Sequence, residues 1–406
     1  MRSEGNHLYF DANLSGDPLN ATAALHNIVK KQQYQDIILD FSNTTRSYPE
    51  YMLPLAATCR SYRIQKIDFE IIEPVDRAAY NHFRNTNWLN IILPEKFDQT
   101  QSKNERHFSA VQFFTHDEHY KSVDNSLSRI LSNAEGIDRN RLKALEWALN
   151  EITDNVLNHA RSPIGGLLQV VTNHRKKRVE FYVCDAGITT PKSLRSGRSD
   201  IIDDISALRQ AIEEGVTSNK QTNQGNGLFG TFKCCEVSLG EFDIISGSAV
   251  LRARPGSLEV SRSLIPFQGT YVKASIGYDF ERLLETALVF KGKEHDPGFD
   301  FIERRYENES RHINFIVKNE LTAFGSREAG KLARNKIENL MDGQTISIDF
   351  DFKDLFLISS SFADEVFGML FAKLGPIKFT QLCHFKNIDS TVSGLIDRAI
   401  SQRMKV

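Results

Sequence analysis

Residues 151–160 read Glu-Ile-Thr-Asp-Asn-Val-Leu-Asn-His-Ala, the most informative stretch of the chain. Glu151, Asn155 and His159 are spaced four apart, which sets all three on one stripe of an α-helix. The opposite stripe carries Leu142, Leu145, Leu149, Ile152 and Val156, the three-and-four spacing of a buried face. One side of the helix is core, and the other offers a carboxylate, a carboxamide and an imidazole. A carboxylate takes up a proton or orients a water, and an amide oxygen is a hard ligand for Mg²⁺. An ordinary amphipathic helix with a polar face gives the same pattern, so the stripe gains meaning only from residues further along the chain.

Three such elements occur in order. In Val183-Cys184-Asp185-Ala186-Gly187, an aspartate at the end of a buried strand can accept a hydrogen bond from an exocyclic amine. The glycine beside it lets a flat ring approach the backbone. In Gly225-Asn226-Gly227-Leu228-Phe229-Gly230, glycines before a helix let amide N–H groups point at an anion, and the helix dipole favours phosphate there. No Gly-Lys-Ser/Thr comes after it, so this is not a Walker A loop. In Gly269-Thr270-Tyr271-Val272, the threonine hydroxyl enters a strand and can complete the hydrogen bonding around an adenine. Each element alone also describes a common turn.

The elements that must position these groups predict an α/β chain of several domains. A central segment, 110–278, opens with helices at 122–134 and 138–160, succeeded by strands at 166–172 and 178–184. A polar region, 188–224, holds a helical pattern at 204–214, and strands at 242–246, 249–253, 257–262 and 270–276 complete the segment. Helices first and strands later predict helices packed on a mixed sheet. Residues 1–100 alternate strands at 36–41 and 67–72 with helices at 49–62 and 76–92, and 97–106 reads as a linker. Residues 300–406 alternate again: strands at 312–317, 345–350 and 378–385, helices at 325–341, 360–373 and 390–402. Ile37 to Phe41 and Ile346 to Phe350 both end in Asp-Phe, a sign that one fold occurs twice. The formal net charge of −2 argues against nucleic-acid binding. Five cysteines argue for a reducing compartment, and the adjacent Cys234 and Cys235 read as core. With no secretory signal and no apolar run of membrane-spanning length, a cytoplasmic protein is expected.

The ordered set Glu-x₃-Asn-x₃-His-Ala, Asp-x-Gly, polar lid, Gly-x-Gly-Leu and Gly-Thr resembles the GHKL ATPase superfamily over roughly 110–278. Its Glu-x₃-Asn-x₃-His-Ala form is most similar to the anti-sigma-factor serine kinases. The resemblance implies a Bergerat-fold α/β sandwich that binds ATP and Mg²⁺. It makes Glu151 the catalytic base, Asn155 the Mg²⁺ ligand and Asp185 the reader of the adenine amino group, with Thr270 supporting that aspartate. Gly187 would sit beneath the ring, Gly225, Gly227, Leu228 and Gly230 around the phosphates, and Lys220 in the lid near a phosphate oxygen. Asn158 and His159 would line the pocket. The family often has a second glycine two residues after Gly187, where this chain has Thr189.

At the C-terminus, Asp349-Phe350 and then Ile358-Ser359-Ser360-Ser361-Phe362-Ala363-Asp364-Glu365 resemble STAS domains, specifically a STAS-like family marked by Ser-Phe-Ala-Asp-Glu. In anti-sigma antagonists that helix start carries the phosphorylated serine, but serine is also a favoured helix cap. The expected architecture is a central Bergerat-fold unit flanked by two small STAS-like units. The expected function is a Mg²⁺-dependent ATPase coupling nucleotide state to a regulatory or defence switch, with a homodimer and a STAS-like or other regulatory protein as partners. Two alternatives stand beside it: a partner-switching protein-serine kinase, and a non-catalytic ATP-binding module.

Overall fold

The strands Gly166–Asn173 and Arg178–Asp185 are buried at nearly every position because both faces of their sheet are covered. Side chains alternate along a strand. Leu168, Val170, Val179, Phe181 and Val183 therefore join one core, while Leu167, Val171, Tyr182 and Cys184 join a second on the opposite face. The computed structural model describes residues 1–100, 108–216, 226–290, 292–295, 298, 300–307, 312–321, 323–341 and 345–404. The chain is mixed α/β, with several sheets.

The central sheet runs in the order Glu241–Arg254, Ser257–Gly277, Arg178–Asp185, Gly166–Asn173, Gln112–Phe114. Every pair is antiparallel, which corrects the expected mixed sheet. The four short strands expected between 242 and 276 merge into two strands of 14 and 21 residues. A register shift on either side of Gly247, which has φ +60°, bends the pair without ending it.

Helices His119–Asn133, Arg139–Asn155 and Gly227–Val237 cover the first face, and Cys234 and Cys235 are core within the last of them. The Arg139–Asn155 helix begins where the Asp138 carboxylate accepts the Arg141 N–H at 2.8 Å. It runs into a π-helical turn, Val156–Ala160, and stops at Arg161, whose φ of 46° is left-handed.

The N-terminal unit covers the second face. Its helix Pro49–Ile64 is buried through Met52, Leu53, Leu55, Ala56, Ala57 and Cys59 and shares a core with the central strands. Trp88 Nε1 donates to Gln169 Oε1 at 2.9 Å inside that interface. The helix expected at 76–92 divides at Asn87, φ 63°, into Arg77–Asn85 and Trp88–Ile92.

The C-terminal unit packs on the outer side of the helical layer. Helix Arg327–Leu340 places Lys336 Nζ, fully buried, 2.7 Å from both Ser128 Oγ and Glu320 Oε2. Asn339 Nδ2 donates to the carbonyls of Leu131 and Ala134. The segment joining the two units is pinned by Arg139 to Asp300 and Glu307, and by Glu146 Oε2 accepting the Phe301 N–H at 2.7 Å.

Both flanking units run strand–helix three times, with three parallel strands adjacent in chain order: His7–Tyr9, Asp36–Asp40, Asp68–Ile72, and Ile313–Ile316, Ile348–Asp351, Cys383–Lys386. Asp40 and Asp351 each end the middle strand and accept the N–H two residues on, from Ser42 and Lys353, both at 2.9 Å. The equivalent of Asp40 is therefore Asp351, one strand period beyond the Asp349 that the Asp-Phe match suggests. The strand expected at 378–385 is helical up to Leu382. Gly375, φ 76°, breaks the preceding helix, and Pro376 restarts it with a preset φ.

Among the described residues, no helix is long and apolar enough to cross a membrane. All five cysteines are buried and free.

Candidate active site

Asp185 closes its strand on the same side as Val179, Phe181 and Val183, so the strand period turns its carboxylate toward the helical layer. A cavity of about 380 Å³ lies there, within the range of small-ligand sites. Glu151, Asn155, Asn158 and His159 line it from the Arg139–Asn155 helix and its π turn, Asp185 and Thr270 from the sheet, and Gly227 and Leu228 from the next helix. The two stripes of the first helix behave as their spacing predicts: Leu142, Leu145, Leu149, Ile152 and Val156 are buried.

Asp185 is 1% exposed, and burial raises its pKa to about 7 against the opposing effect of N–H groups from Gly187 and Thr270. The Gly187 N–H donates to Oδ1 at 2.7 Å. Thr270 supports this carboxylate through its backbone, while its hydroxyl lies 2.9 Å from Ser246 Oγ and 3.0 Å from Thr190 Oγ1. Burial also raises Glu151 to about 7, and the negative Asp154 one residue short of the next turn adds to the rise. The Asn155 Nδ2 atom is buried and has no hydrogen-bond partner among the described residues. Burial lowers the His159 pKa, so the ring stays neutral further into the acid range.

The glycines divide by what a side chain would meet. At Gly227 a Cβ would stand 2.3 Å from Glu151 Oε2, so this glycine makes room for the carboxylate. Gly187 and Gly230 do not line the cavity. A Cβ at Gly187 would meet the Ala160 carbonyl oxygen at 2.0 Å, and one at Gly230 the Trp147 ring at 2.2 Å. Their role here is close packing around the site. Gly225 and Lys220 lie outside the described residues. Thr189 has φ −70° and ψ 150°, backbone that needs no glycine, and its hydroxyl accepts the Lys192 N–H to cap helix Thr190–Gly197. That helix lies in the polar region where only the pattern at 204–214 is legible.

Several lining residues carry no signal in the sequence. Asp154 is held by the buried His119, whose Nδ1 lies 3.5 Å from Asp154 Oδ1 and whose Nε2 lies 2.6 Å from Thr153 Oγ1. Phe290 and His295, with ring centroids 5.4 Å apart, reach the cavity from beyond residue 278, where the central segment was expected to end. Asn226 contributes from the glycine-rich turn, and its Oδ1 accepts the Gly215 N–H.

In the C-terminal unit, the Ser359 hydroxyl accepts the Phe362 N–H at 3.0 Å and so caps its helix, while Ser360 is exposed. Residues 328–393 match the family described as a STAS-like domain of unknown function (DUF4325). No curated protein and no solved structure matches the chain. A STAS-like domain at the C-terminus is thus the part of the chain that comparison identifies.

Proposed function

We propose that the central cavity binds Mg²⁺-ATP in the manner of the GHKL superfamily, with the antiparallel sheet and its helical layer as a Bergerat-type sandwich, and that the chain hydrolyses the nucleotide. The observation that carries this reading is convergence. Glu151 with Asn155, Asp185, Gly227 and Thr270 come from four separate stretches of sequence, and all line one cavity.

The residues suit the ligand. Asp185 accepts from the Gly187 N–H and is supported by the Thr270 backbone, and a carboxylate has lone pairs enough to accept from an exocyclic amine as well. Asn155 Nδ2, buried and without a partner among the described residues, is an N–H donor suited to a phosphate oxygen, and the Oδ1 of the same carboxamide is the atom that could ligate Mg²⁺. Among the described residues no cluster of three acidic or histidine side chains forms, and a single protein ligand beside substrate phosphates is a usual arrangement for Mg²⁺. The bound ion would neutralise charge developing on the transferred phosphoryl group. Glu151, with its pKa near 7, is poised to take a proton from an attacking water at neutral pH. Gly227 leaves space for its carboxylate at the helix N-terminus. The helices Thr190–Gly197 and Asp204–Ala211 form one wall and keep water from the buried aspartate.

Glu151→Ala should lower ATP turnover by about two orders of magnitude or more, while binding of a non-hydrolysable ATP analogue persists. Unchanged phosphate release in that variant would sink the reading. Saturable binding of Mg²⁺-ATP by the wild type with no release would leave a binding module. A protein-serine kinase is the second reading, favoured by the exposed Ser360 at the start of the STAS-like helix. Transfer of labelled γ-phosphate to serine, in this chain or a STAS-like partner, separates it from hydrolysis. The STAS-like unit would carry the nucleotide state to a regulatory protein or a second copy of the chain.

A further inference from the structure

A second cleft, of about 510 Å³, opens where the N-terminal unit meets the central one. Arg60, Arg63 and Ile64 line it from the end of helix Pro49–Ile64, and Phe113, Thr115 and His116 from the edge strand of the sheet and the turn after it. Leu157, Arg161, Ser162 and Gly165 belong to the π turn and the loop beyond it. Three arginines and a histidine face this cleft, and among the described residues no carboxylate lines it. Arg63 has a partner in Glu95, at 2.5 Å. Among the described residues, neither Arg60 nor Arg161 has an ion-pair partner. Arg60 instead lies over the Phe113 ring, with its guanidinium carbon 4.5 Å from the centroid, which holds the fork in one plane. Arg60 is mostly withdrawn from water, and burial together with the positive Arg63 disfavours its charge. Arg60, partly desolvated beside Arg63, and the exposed Arg161 at the same cleft leave positive charge that an anion would neutralise.

We propose that this cleft is a binding site for a phosphorylated small molecule, distinct from the central cavity. Arg60 and Arg161 supply the forked donors, and Thr115 and His116, which line the same cleft, add further donors. Phosphate matches the site better than a single carboxylate, because its oxygens can accept from several guanidinium groups at once. Occupancy also has a route to the central cavity. Val156 lines both spaces, so the π turn is their common wall. Behind it, Ser162 Oγ accepts the Ala186 N–H at 3.2 Å, and the Ala160 carbonyl accepts the Ile188 N–H at 2.7 Å. A ligand that pulls on Arg161 therefore pulls on the loop that carries Asp185.

The test is calorimetric titration of the full chain, free of nucleotide and Mg²⁺, with inorganic pyrophosphate, with citrate as the carboxylate control. Saturable pyrophosphate binding is expected, stronger than that of citrate. It should weaken about tenfold or more in Arg161→Gln and in Arg60→Gln, and stay unchanged in Asn155→Ala, at the phosphate end of the central cavity. Arg161 is exposed, so its variant separates loss of binding from loss of fold. No saturable binding, undiminished binding in Arg161→Gln, or equal affinity for citrate overturns the proposal. Loss in Asn155→Ala with the arginine variants unaffected overturns it too, because the probe would then occupy the central cavity. None of these outcomes depends on whether the chain hydrolyses ATP.

Discussion

Glu151 and Asp185 are both raised to about 7 by burial, yet the site would use them differently. Glu151 must be ionised to take a proton, and Asp185 must be ionised to accept from an amine with full strength. Both requirements point the same way. ATP turnover should fall as pH drops through about 7, and nucleotide affinity should fall with it. A turnover profile flat between pH 6 and 8 would contradict the assigned roles. Asp185→Asn should weaken adenine-nucleotide binding about 10- to 100-fold, the worth of a hydrogen bond to a charged acceptor, measured by titration at pH 8. Asp154 belongs to the same group of charges. Its own pKa is raised by burial and restrained by His119 and His116, so Asp154→Asn should bring the turnover midpoint toward acid by removing a negative neighbour of Glu151.

At the scale of elements, the site depends on close approach between the π turn and the loop after Arg178–Asp185. Gly187 makes this contact possible, since a Cβ there would lie 2.0 Å from the Ala160 oxygen. Gly187→Ala should destabilise the chain by about 1–3 kcal/mol, the usual cost of overpacking, and weaken nucleotide binding because the same loop carries Asp185. A denaturant titration unchanged from wild type would refute this account of the glycine. The sequence motif places Gly187 correctly, but it suggests a ring lying on the glycine, whereas the neighbour is a helix terminus. Gly230 differs in the same way, because its bare face receives Trp147. Spacing reveals that a glycine matters, and the chain that comes to rest against it decides why.

At the scale of the molecule, the central sheet is covered on one face by its own helices and on the other by the N-terminal unit. Trp88→Phe removes the donor to Gln169 and leaves a buried acceptor unpaired. It should cost about 1–3 kcal/mol, read as a lower denaturation midpoint. Buried carboxyls also set a pH dependence. Glu146, Glu151 and Asp185 hold protons in the folded chain up to about pH 7, far above their ordinary values. Between roughly pH 4.5 and 7 the folded state binds more protons than the unfolded one, so stability falls as pH rises through that window. Asp300 and Glu320, whose pKa values Arg139 and Lys336 lower, oppose this at the acid end, and His119 and His159, whose pKa values burial lowers from 6.5, oppose it in part within the window. The ligand-free chain should melt at a higher temperature at pH 6 than at pH 8, and Glu146→Gln, remote from the cavity lining, should narrow the difference.

The STAS-like C-terminus was legible through a family resemblance, whereas local pattern by itself determined the amphipathic Glu151–His159 helix, the core strands and the order of the glycine turns. These arise from periodicity and turn chemistry, which act over a few residues. It did not determine that the strands of 241–277 fuse into a long antiparallel pair, or that Pro376 restarts a helix instead of opening a strand. Nor did it reveal Asp154, Phe290 and His295 in the cavity, or the arginines gathered at the second cleft. Those depend on which faces meet across distant segments, and burial and charge pairing are set only when the sheet, its helices and the N-terminal unit close on one another.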